Sequence, residues 1–560
     1  MKNILINKPR QAAKKILDFW VGSLVLGTIP ILIGAIPAQA AERIFFNYGP
    51  LEFSIQVDSL EEFAQNGTIN QELAYYLGRV SPEQREQFRK ALLRRSDVDA
   101  VQLYRFFKTP IGEKILQGFG DLITIPGGIN AKYPLRGAIY QAAASPEGLT
   151  LLNFLRKFPT DIQLDTDEIL SVAEKVEMAV NLTTTMVEEV GQLSETQAKK
   201  DNFTDFSKLP DLRQRGSYGV EERILTLKDT SRDRELILYL YKPQQWRTEK
   251  TPVIIISHGL GSKPQDFSER AQHLASHGYL VALPQHPGSD FNQLQGLLEG
   301  LYRDIFNLNE FIDRPLDISF VIDELEKMNR LEFENRLNLE AVGVTGHSFG
   351  GYTALAVAGA TIDFDNLQKA CEDPNWDPNL SLLLQCRALE LPRTAYNFRD
   401  ERVQAIMAIN PVNSSIFGPK GLAQIQIPVF IAAGSYDPAT PAVYEQIRSF
   451  PWLTTSERYL ALAQGQAHVD FSQLDAGASQ MLNSLPNLTF PNPNLIANYE
   501  NAMGLAFYGT YIAKNLEDRP YLQSSYSAYL SRDERFKLYL VDNSSSTQIA
   551  QALDEFNRNN

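Results

Sequence analysis

The residues best suited to catalysis lie in the segment Val342–Tyr352, VGVTGHSFGGY. Ala341–Thr345 is short, apolar and β-branched, which predicts a buried strand, and Tyr352–Ala358 carries good helix formers. The pentapeptide between them, GHSFG at 346–350, matches G-x-S-x-G, a sharp strand-to-helix turn that strains the serine backbone and exposes its hydroxyl. The segment therefore predicts that Ser348 is a nucleophile for acyl transfer.

A serine hydroxyl is a weak nucleophile and needs a base, which an acid then orients. Downstream of Ser348 the sequence has one histidine, His468, in a predicted loop after the strand Tyr459–Leu462. Asp437 follows the preceding predicted strand, Val429–Ala433. The order serine, acid, histidine is the one expected after a G-x-S-x-G turn, so we predict a triad of these three residues.

Each of these assignments has an alternative. Asp437 could be a turn or helix-cap aspartate, and His468 a surface loop residue. Asp470 is a second possible acid, but it stands very close to His468 in sequence for the usual geometry. We expect His258 and His347 to orient neighbouring groups rather than to act as bases.

An acyl-transfer site also needs N–H donors for the oxyanion of the tetrahedral intermediate. One is expected from the backbone of Phe349, directly after the nucleophile. The other is expected from Leu260, in the loop SHGLG at 257–261 that follows a predicted strand. Both side chains are bulky and apolar, so we expect them to line the mouth of an acyl pocket.

Composition excludes several other classes of function. The 560-residue chain has a net charge of −14 and a pI near 5.1. That charge argues against nucleic acid as a partner and against strong attraction to anionic membranes, so weak or no membrane association is expected. Six histidines without H-E-x-x-H or C-x-x-C predict neither a metal nor a cofactor. The oligomeric state stays open.

From Val220 onward, predicted strands alternate with predicted helices, which indicates a mostly parallel sheet covered on both faces. An antiparallel hairpin opens this region, and the apolar run VIIIS at 253–257 predicts a central strand. Further strands are expected at 280–283, 403–409, 429–433 and 459–462, and helices at 270–277, 318–328 and 499–513.

Two stretches, near 290–314 and 363–402, interrupt this alternation. Both follow elements that end on the side where α/β active sites lie, so we expect them to form a lid or pocket wall. The second contains both cysteines of the chain, Cys371 and Cys386. A disulfide between them would close a loop of about fifteen residues and stabilise the fold by about 3 kcal/mol. The alternative is two unpaired buried thiols.

The remaining segments are assigned by pattern. Residues 41–193 carry repeated helix-start signals, such as Ser81-Pro82 followed by Gln84, and are interpreted as an all-α domain. The polar stretch 194–218 is interpreted as a linker and 219–515 as the catalytic domain. Residues 516–560 are interpreted as a tyrosine-rich tail, whose role the sequence does not indicate.

Residues 1–40 are typical of an export signal. A basic start, an apolar run at 19–36 and the small-residue site Ala38-Gln39-Ala40 predict cleavage near Ala40 and a periplasmic or secreted protein. The alternative is an uncleaved membrane anchor, since the apolar run approaches spanning length.

The amino-acid sequences of three motifs resemble those of one branch of a known fold family. SHGLG at 257–261, LASHGYLVALPQH at 274–286 and GHSFGG at 346–351 together resemble the plasma-type platelet-activating-factor acetylhydrolases. The resemblance covers roughly residues 220–481 and implies an α/β-hydrolase fold with the nucleophile, acid, base and oxyanion donors assigned above. The segment 42–191 resembles an N-terminal domain of unknown function that precedes some bacterial hydrolases.

The sequence therefore predicts a serine carboxylic-ester hydrolase acting through an acyl-enzyme. The resemblance implies phospholipids with short or oxidised acyl chains as substrates, and hence a role in lipid degradation. A broad small-ester hydrolase or a triacylglycerol lipase is the first alternative. The second is a catalytically silent binding scaffold in which the helical domain is the functional part.

Overall fold

The computed structural model describes residues 40–96, 98–372, 378–469 and 489–559. Residues 1–39 of the predicted export signal and the alternative acid Asp470 lie outside these ranges. The described residues form two compact units. The first comprises 40–178 with 295–305, and the second comprises 179–294, 306–469 and 489–559.

The first unit combines a small sheet with short helices. Its five strands pair in the order β2-β1-β5-β3-β4. They are β1 (Arg43–Tyr48), β2 (Leu51–Gln56), β3 (Ile123–Ile125), β4 (Ile129–Asn130) and β5 (Ile162–Leu164). The helices are Val57–Asn66, Gln71–Leu77, Pro82–Leu93, Ala100–Phe107, Pro110–Leu122, Lys132–Ala144 and Leu151–Lys157. The long helix Thr166–Ala198 begins in this unit, and its residues from 179 onward belong to the second.

The prediction of an all-α N-terminal domain was therefore wrong. The runs RIFFNY and LEFSIQ, separated by Gly49-Pro50, form an antiparallel hairpin. The other three strands have two or three residues each, which is too short for hydrophobic periodicity to reveal. The helix start predicted at Ser81 is confirmed, because Ser81 and Gln84 form a capping box there.

The second unit is built on a nine-stranded sheet in the order β14-β13-β12-β11-β10-β8-β9-β7-β6. The strands from β13 to β9 in that order run parallel, and antiparallel pairs close both edges. They are β6 (Val220–Asp229), β7 (Arg234–Pro243), β8 (Thr251–Ser257), β9 (Leu280–Pro284), β10 (Leu337–His347), β11 (Val403–Ile409), β12 (Val429–Gly434), β13 (Arg458–Ala463) and β14 (Leu538–Asp542).

Helices connect and cover these strands, as the alternating pattern predicts. The α-helices are Ser268–Ser276, Phe291–Glu299, Glu310–Leu331, Phe349–Val357, Phe364–Cys371, Leu382–Gln385, Ser414–Leu422, Pro493–Tyr511, Ser524–Leu530 and Ser546–Asn559. The central strand β8 is buried along its whole length, since it has a parallel neighbour on each side and helices on both faces.

Two boundaries of the sequence interpretation need correction. The tail 516–560 supplies β14, the edge strand that pairs antiparallel with β13. The linker 194–218 begins inside the helix Thr166–Ala198 and then packs Phe206 against Tyr521, Tyr526 and Tyr529. Ring contacts between segments three hundred residues apart leave no local signal, which explains why the tyrosines could not be interpreted from sequence.

The described part of the insertion that contains the cysteines has three short helical segments. Cys371 ends the helix Phe364–Cys371, Cys386 begins the 3-10 turn Cys386–Glu390, and a disulfide joins the two residues. The other insertion, near 290–314, comprises the helix Phe291–Glu299, an irregular segment at 300–309 and the start of the helix Glu310–Leu331.

Candidate active site

Ser348 stands at the tip of the turn between β10 and the helix Phe349–Val357. Its backbone has φ of +57° and ψ of −117°, a conformation that few residues other than glycine adopt. The flanking glycines make the turn possible. A Cβ at Gly346 would lie 1.8 Å from the carbonyl oxygen of Gly350, and one at Gly350 would lie 2.0 Å from that of Ser257.

The structure brings the three predicted triad residues together. The Ser348 hydroxyl donates to Nε2 of His468 over 2.9 Å, and Nδ1–H of His468 donates to Oδ2 of Asp437 over 2.7 Å. Ser348 and Asp437 are 7% and 4% exposed, so the line of hydrogen bonds is largely shielded from water. This arrangement can pass the serine proton to an imidazole whose tautomer the carboxylate holds.

Backbone contacts and one asparagine hold the acid and base loops. Asp437 Oδ1 accepts the N–H groups of Ala439 and Thr440, each over 2.9 Å, so the carboxylate caps its own loop while it faces His468. Asn410, at the end of β11, accepts the N–H of Gly434 over 2.9 Å. Sequence reasoning missed Asn410 and Thr440. The positive φ of 43° at Asn410 is a tertiary feature.

His347 orients the base, as predicted from its position. Its Nε2–H donates to the backbone carbonyl of His468 over 2.9 Å, and the two rings lie 4.8 Å apart. Burial lowers the pKa of His347 well below its usual value, so the imidazole stays neutral. The hydrogen bond from His347 therefore holds the loop that carries His468.

The loop that carries one predicted oxyanion donor, Leu260, lies against Ser348, and the other donor, Phe349, directly follows Ser348 in the chain. A Cβ at Gly259 would lie 3.3 Å from Cβ of Ser348, which places the loop 257–261 against the nucleophile. Among the described residues, neither Leu260 N–H nor Phe349 N–H has a hydrogen-bond acceptor. Both donors are therefore available to a developing oxyanion.

The expectation that the Phe349 side chain lines a pocket mouth was wrong. Its ring is fully buried behind the nucleophile, 5.0 Å from Phe311 and 5.8 Å from Phe306. The first turn of a helix points side chains back against the preceding elements, so only the backbone of Phe349 faces the site. Leu260, by contrast, is partly exposed.

A second serine–histidine–aspartate line lies entirely inside the fold. The Ser257 hydroxyl donates to Nε2 of His286, and Nδ1–H of His286 donates to Asp317, each over 2.9 Å. All three side chains are fully buried, so no substrate can reach them. Sequence reasoning missed this line and the buried Arg314 beside it. The available sequence signal was the presence of polar residues where two buried strands end, Ser257 at the end of β8 and His286 after β9.

The described residues contain no group of three or more histidine, cysteine, aspartate or glutamate side chains placed to hold a metal ion. They also contain no helix long and apolar enough to cross a lipid bilayer.

Three buried histidines and the partly buried His347 make the fold sensitive to acid. Burial lowers the pKa of His258, His286 and His347 well below the usual value, and that of His273 to about 4. In the unfolded chain these imidazoles titrate near 6.5, about their unperturbed value. Below that pH the unfolded state binds protons that the folded state does not, so stability present above about pH 6.5 is lost as the pH falls.

We expect the free energy of unfolding to fall as the pH drops below about 6.5, by at most about 1.4 kcal/mol per pH unit for each histidine. Glu310 opposes part of this slope, because burial raises the pKa of its carboxyl to about 7. Urea denaturation between about pH 7 and about pH 5 measures the effect. His273→Asn should flatten the slope, whereas a pH-independent midpoint in the original chain would contradict the expectation.

Comparison with known families places these features among hydrolases. A family described as alpha/beta hydrolase of unknown function (DUF1400) matches residues 40–165, and the chlorophyllase family matches residues 210–370. The chlorophyllase match contains the nucleophile turn and the loop 257–261. It ends before Asp437 and His468, whose assignment rests on geometry.

Individual relatives are distant. Chlorophyllase-1, chloroplastic, from Citrus unshiu and from Citrus sinensis is 28% identical over 138 residues, 23% of this chain and 36% of the relative. Platelet-activating factor acetylhydrolase from Cavia porcellus is 28% identical over 148 residues, 20% of this chain and 34% of the relative. The matches thus span about a third of each relative's length, and they support a hydrolase with α/β-hydrolase architecture.

Proposed function

We propose that this protein is a serine carboxylic-ester hydrolase that works through an acyl-enzyme. The hydrogen-bonded line from Ser348 through His468 to Asp437 is the observation that carries the proposal. His468 takes the Ser348 proton as Oγ bonds to the acyl carbon, and the alcohol leaves with that proton. Water then gives a proton to His468 and attacks the acyl carbon, and the acid product leaves as Ser348 regains its proton.

The proposed substrates are phospholipids with a short or oxidised acyl chain, which would place the enzyme in lipid degradation. The sequences of the three motifs and the similarity to platelet-activating factor acetylhydrolase support this class of substrate. A second support is the way in which the insertion 363–402 is fastened.

Buried Glu445 fastens this insertion to the loop after β11. One of its carboxylate oxygens accepts hydrogen bonds from Asn379 and Ser381 over 2.6 and 2.7 Å. The other oxygen accepts the backbone N–H groups of Asn413 and Ser414 over 2.8 and 2.9 Å. A buried carboxylate that loses its hydrogen-bond donors is left unsatisfied, which costs free energy. The insertion therefore resists the wide opening that long-chain lipases require.

The insertion also approaches the nucleophile from behind. The Arg387 guanidinium lies 5.3 Å from the ring centre of Phe306, whose ring contacts Phe349. Together with the Cys371–Cys386 disulfide, this packing supports a stiff wall near the site. A stiff wall limits the length of the acyl chain that can enter.

We therefore expect kcat/KM on p-nitrophenyl esters to fall from acetate or butyrate towards palmitate. The acyl series is measured below and above the micellar concentration of each ester. Cys371→Ser together with Cys386→Ser removes one restraint on the wall and should raise the relative rate on the longer esters.

Other outcomes distinguish the alternatives. A profile that rises towards palmitate, with a jump above the micellar concentration, supports a lipase. Hydrolysis of chlorophyll in preference to short-chain phospholipids supports a chlorophyllase-type enzyme, which the family match over residues 210–370 favours. A protein that neither hydrolyses any ester nor reacts with a fluorophosphonate is a binding scaffold, and the proposal then fails.

Export is part of the same proposal. A signal cleaved near Ala40 would leave a mature chain that begins at Ala41. N-terminal sequencing of the protein recovered from the periplasm or medium tests this, and a full-length chain in the membrane fraction supports the anchor instead.

A further inference from the structure

Arg314 is a fully buried arginine that the proposed mechanism does not use. Its Nη1 donates to the carbonyl of His258 over 2.7 Å, and Nη2 donates to the carbonyl of Gly259 over 3.3 Å. Its Nε donates to the hydroxyl of Ser289 over 2.8 Å. The planar fork of the guanidinium thus holds two successive carbonyls of the loop 257–261.

The second of these carbonyls determines where a proposed oxyanion donor points. The C=O of Gly259 and the N–H of Leu260 belong to one peptide group, and in a trans peptide they point in opposite directions. His258 also donates its Nδ1–H to the Gly259 oxygen, over 2.8 Å. Two donors on that oxygen prevent the peptide from flipping, so the Leu260 N–H stays directed away from Arg314.

The tautomer of His258 is set by the buried line behind it. The backbone N–H of His286 donates to Nε2 of His258 over 3.1 Å, which leaves the proton on Nδ1. The His286 ring is itself held between Ser257 and Asp317. The second serine–histidine–aspartate line therefore holds His286 in place, and the backbone of His286 keeps His258 in the Nδ1–H tautomer that donates to the Gly259 carbonyl.

Arg314 also contacts the residue that carries the other donor. Its guanidinium lies 4.6 Å from the ring centre of Phe349, an attractive cation–π distance. Ser289, which accepts from Arg314, donates its hydroxyl to Glu310, and its carbonyl accepts the N–H of Gly261 over 2.8 Å. One guanidinium is thus in contact with the Leu260 loop and with the ring of Phe349.

We propose that Arg314 is a positioning residue that orients the Gly259–Leu260 peptide, and through it the oxyanion-stabilising N–H of Leu260. This inference rests on the proposed ester hydrolysis. Preorganised donors lower the activation barrier because they need no reorientation as charge develops. Loss of the orientation should weaken binding of the transition state while binding of the neutral ester changes little.

The test compares Arg314→Met and Arg314→Lys with the original chain on p-nitrophenyl butyrate. Active sites are titrated to completion with a fluorophosphonate, so that rates refer to folded protein. Arg314→Met should lower kcat by about 10²-fold, the loss typical of one oxyanion donor, with KM little changed. Arg314→Lys keeps the positive charge but loses the planar fork of donors. Its kcat should therefore lie between those of Arg314→Met and the original chain.

Inhibition by an alkyl trifluoromethyl ketone separates positioning from general damage, because its adduct with Ser348 carries an oxyanion. The inhibition constant should rise across the variants in proportion to the loss in kcat/KM. The control is Arg402→Met, an arginine paired with Asp400 and Asp323, whose kcat and ketone affinity should be unchanged. If Arg314→Met does not fold, Arg314→Met with Glu310→Gln removes the buried Arg314–Glu310 ion pair and takes its place.

A folded Arg314→Met enzyme with unchanged kcat overturns the inference. So does a loss in kcat that leaves the affinity for the ketone unchanged. Failure of the proposed function looks different, because the original chain would then hydrolyse no ester at all.

Discussion

Ser348→Ala is expected to lower kcat for ester hydrolysis by about 10⁶-fold and to abolish covalent labelling by a fluorophosphonate. The hydroxyl is the group that His468 contacts over 2.9 Å at the tip of the strained turn, and an alanine methyl cannot form an acyl-enzyme. The fold should persist, because the variant removes one oxygen atom and leaves the side-chain packing around the turn unchanged. Hydrolysis, labelling and near-ultraviolet circular dichroism measure the three effects.

The matched control is Ser257→Ala, at the serine of the buried line to His286 and Asp317. Ser257 has the same type of partners as Ser348 but is fully buried. The control protein should still take up one label, located on Ser348 by peptide mass spectrometry. A label that persists in Ser348→Ala, or that is found on Ser257 in the original chain, would contradict the assignment of Ser348 as the nucleophile.

Asp437→Asn is expected to lower kcat by about 10⁴-fold. The carboxylate accepts the Nδ1–H of His468 over 2.7 Å, which leaves Nε2 free to take the serine proton. An amide that retains the two N–H bonds from Ala439 and Thr440 through its oxygen turns its NH₂ group towards His468. The imidazole then carries its proton on Nε2 and cannot act as a base. Steady-state kinetics on p-nitrophenyl butyrate measure the loss.

Two comparisons make this result specific. Asp470→Asn alters the alternative acid and should leave kcat unchanged, so a large loss there would reassign the role. His468→Ala should lower kcat by at least as much as Asp437→Asn, and the double variant should lose little more than His468→Ala alone. Triad members act as a unit, so independent contributions that multiply would contradict the assignment.

Much of the second unit and the arrangement of the candidate site could be predicted from the sequence. The turn GHSFG, the strand before it and the helix after it are contiguous, so local pattern was sufficient to place Ser348. Asp437 and His468 could be assigned from chain order, because parallel strands end on the same edge of a sheet and bring the loops after β12 and β13 together. Apolar runs likewise predicted the strands from β8 to β13.

Other features depend on contacts between distant segments, and only the tertiary structure decided them. Two serine–histidine–aspartate lines lie among the described residues. The line at Ser257 is fully enclosed, whereas Ser348 is 7% exposed at the tip of a strained turn. Burial is a property of the packed molecule, to which every element contributes. For the same reason β14, the short strands of the first unit and the role of Arg314 stayed hidden. β14, β5 and Arg314 each depend on a partner more than thirty residues away, whereas sequence periodicity reports only on neighbours within a few turns. The strands β3 and β4 pair locally but are too short to show a periodicity.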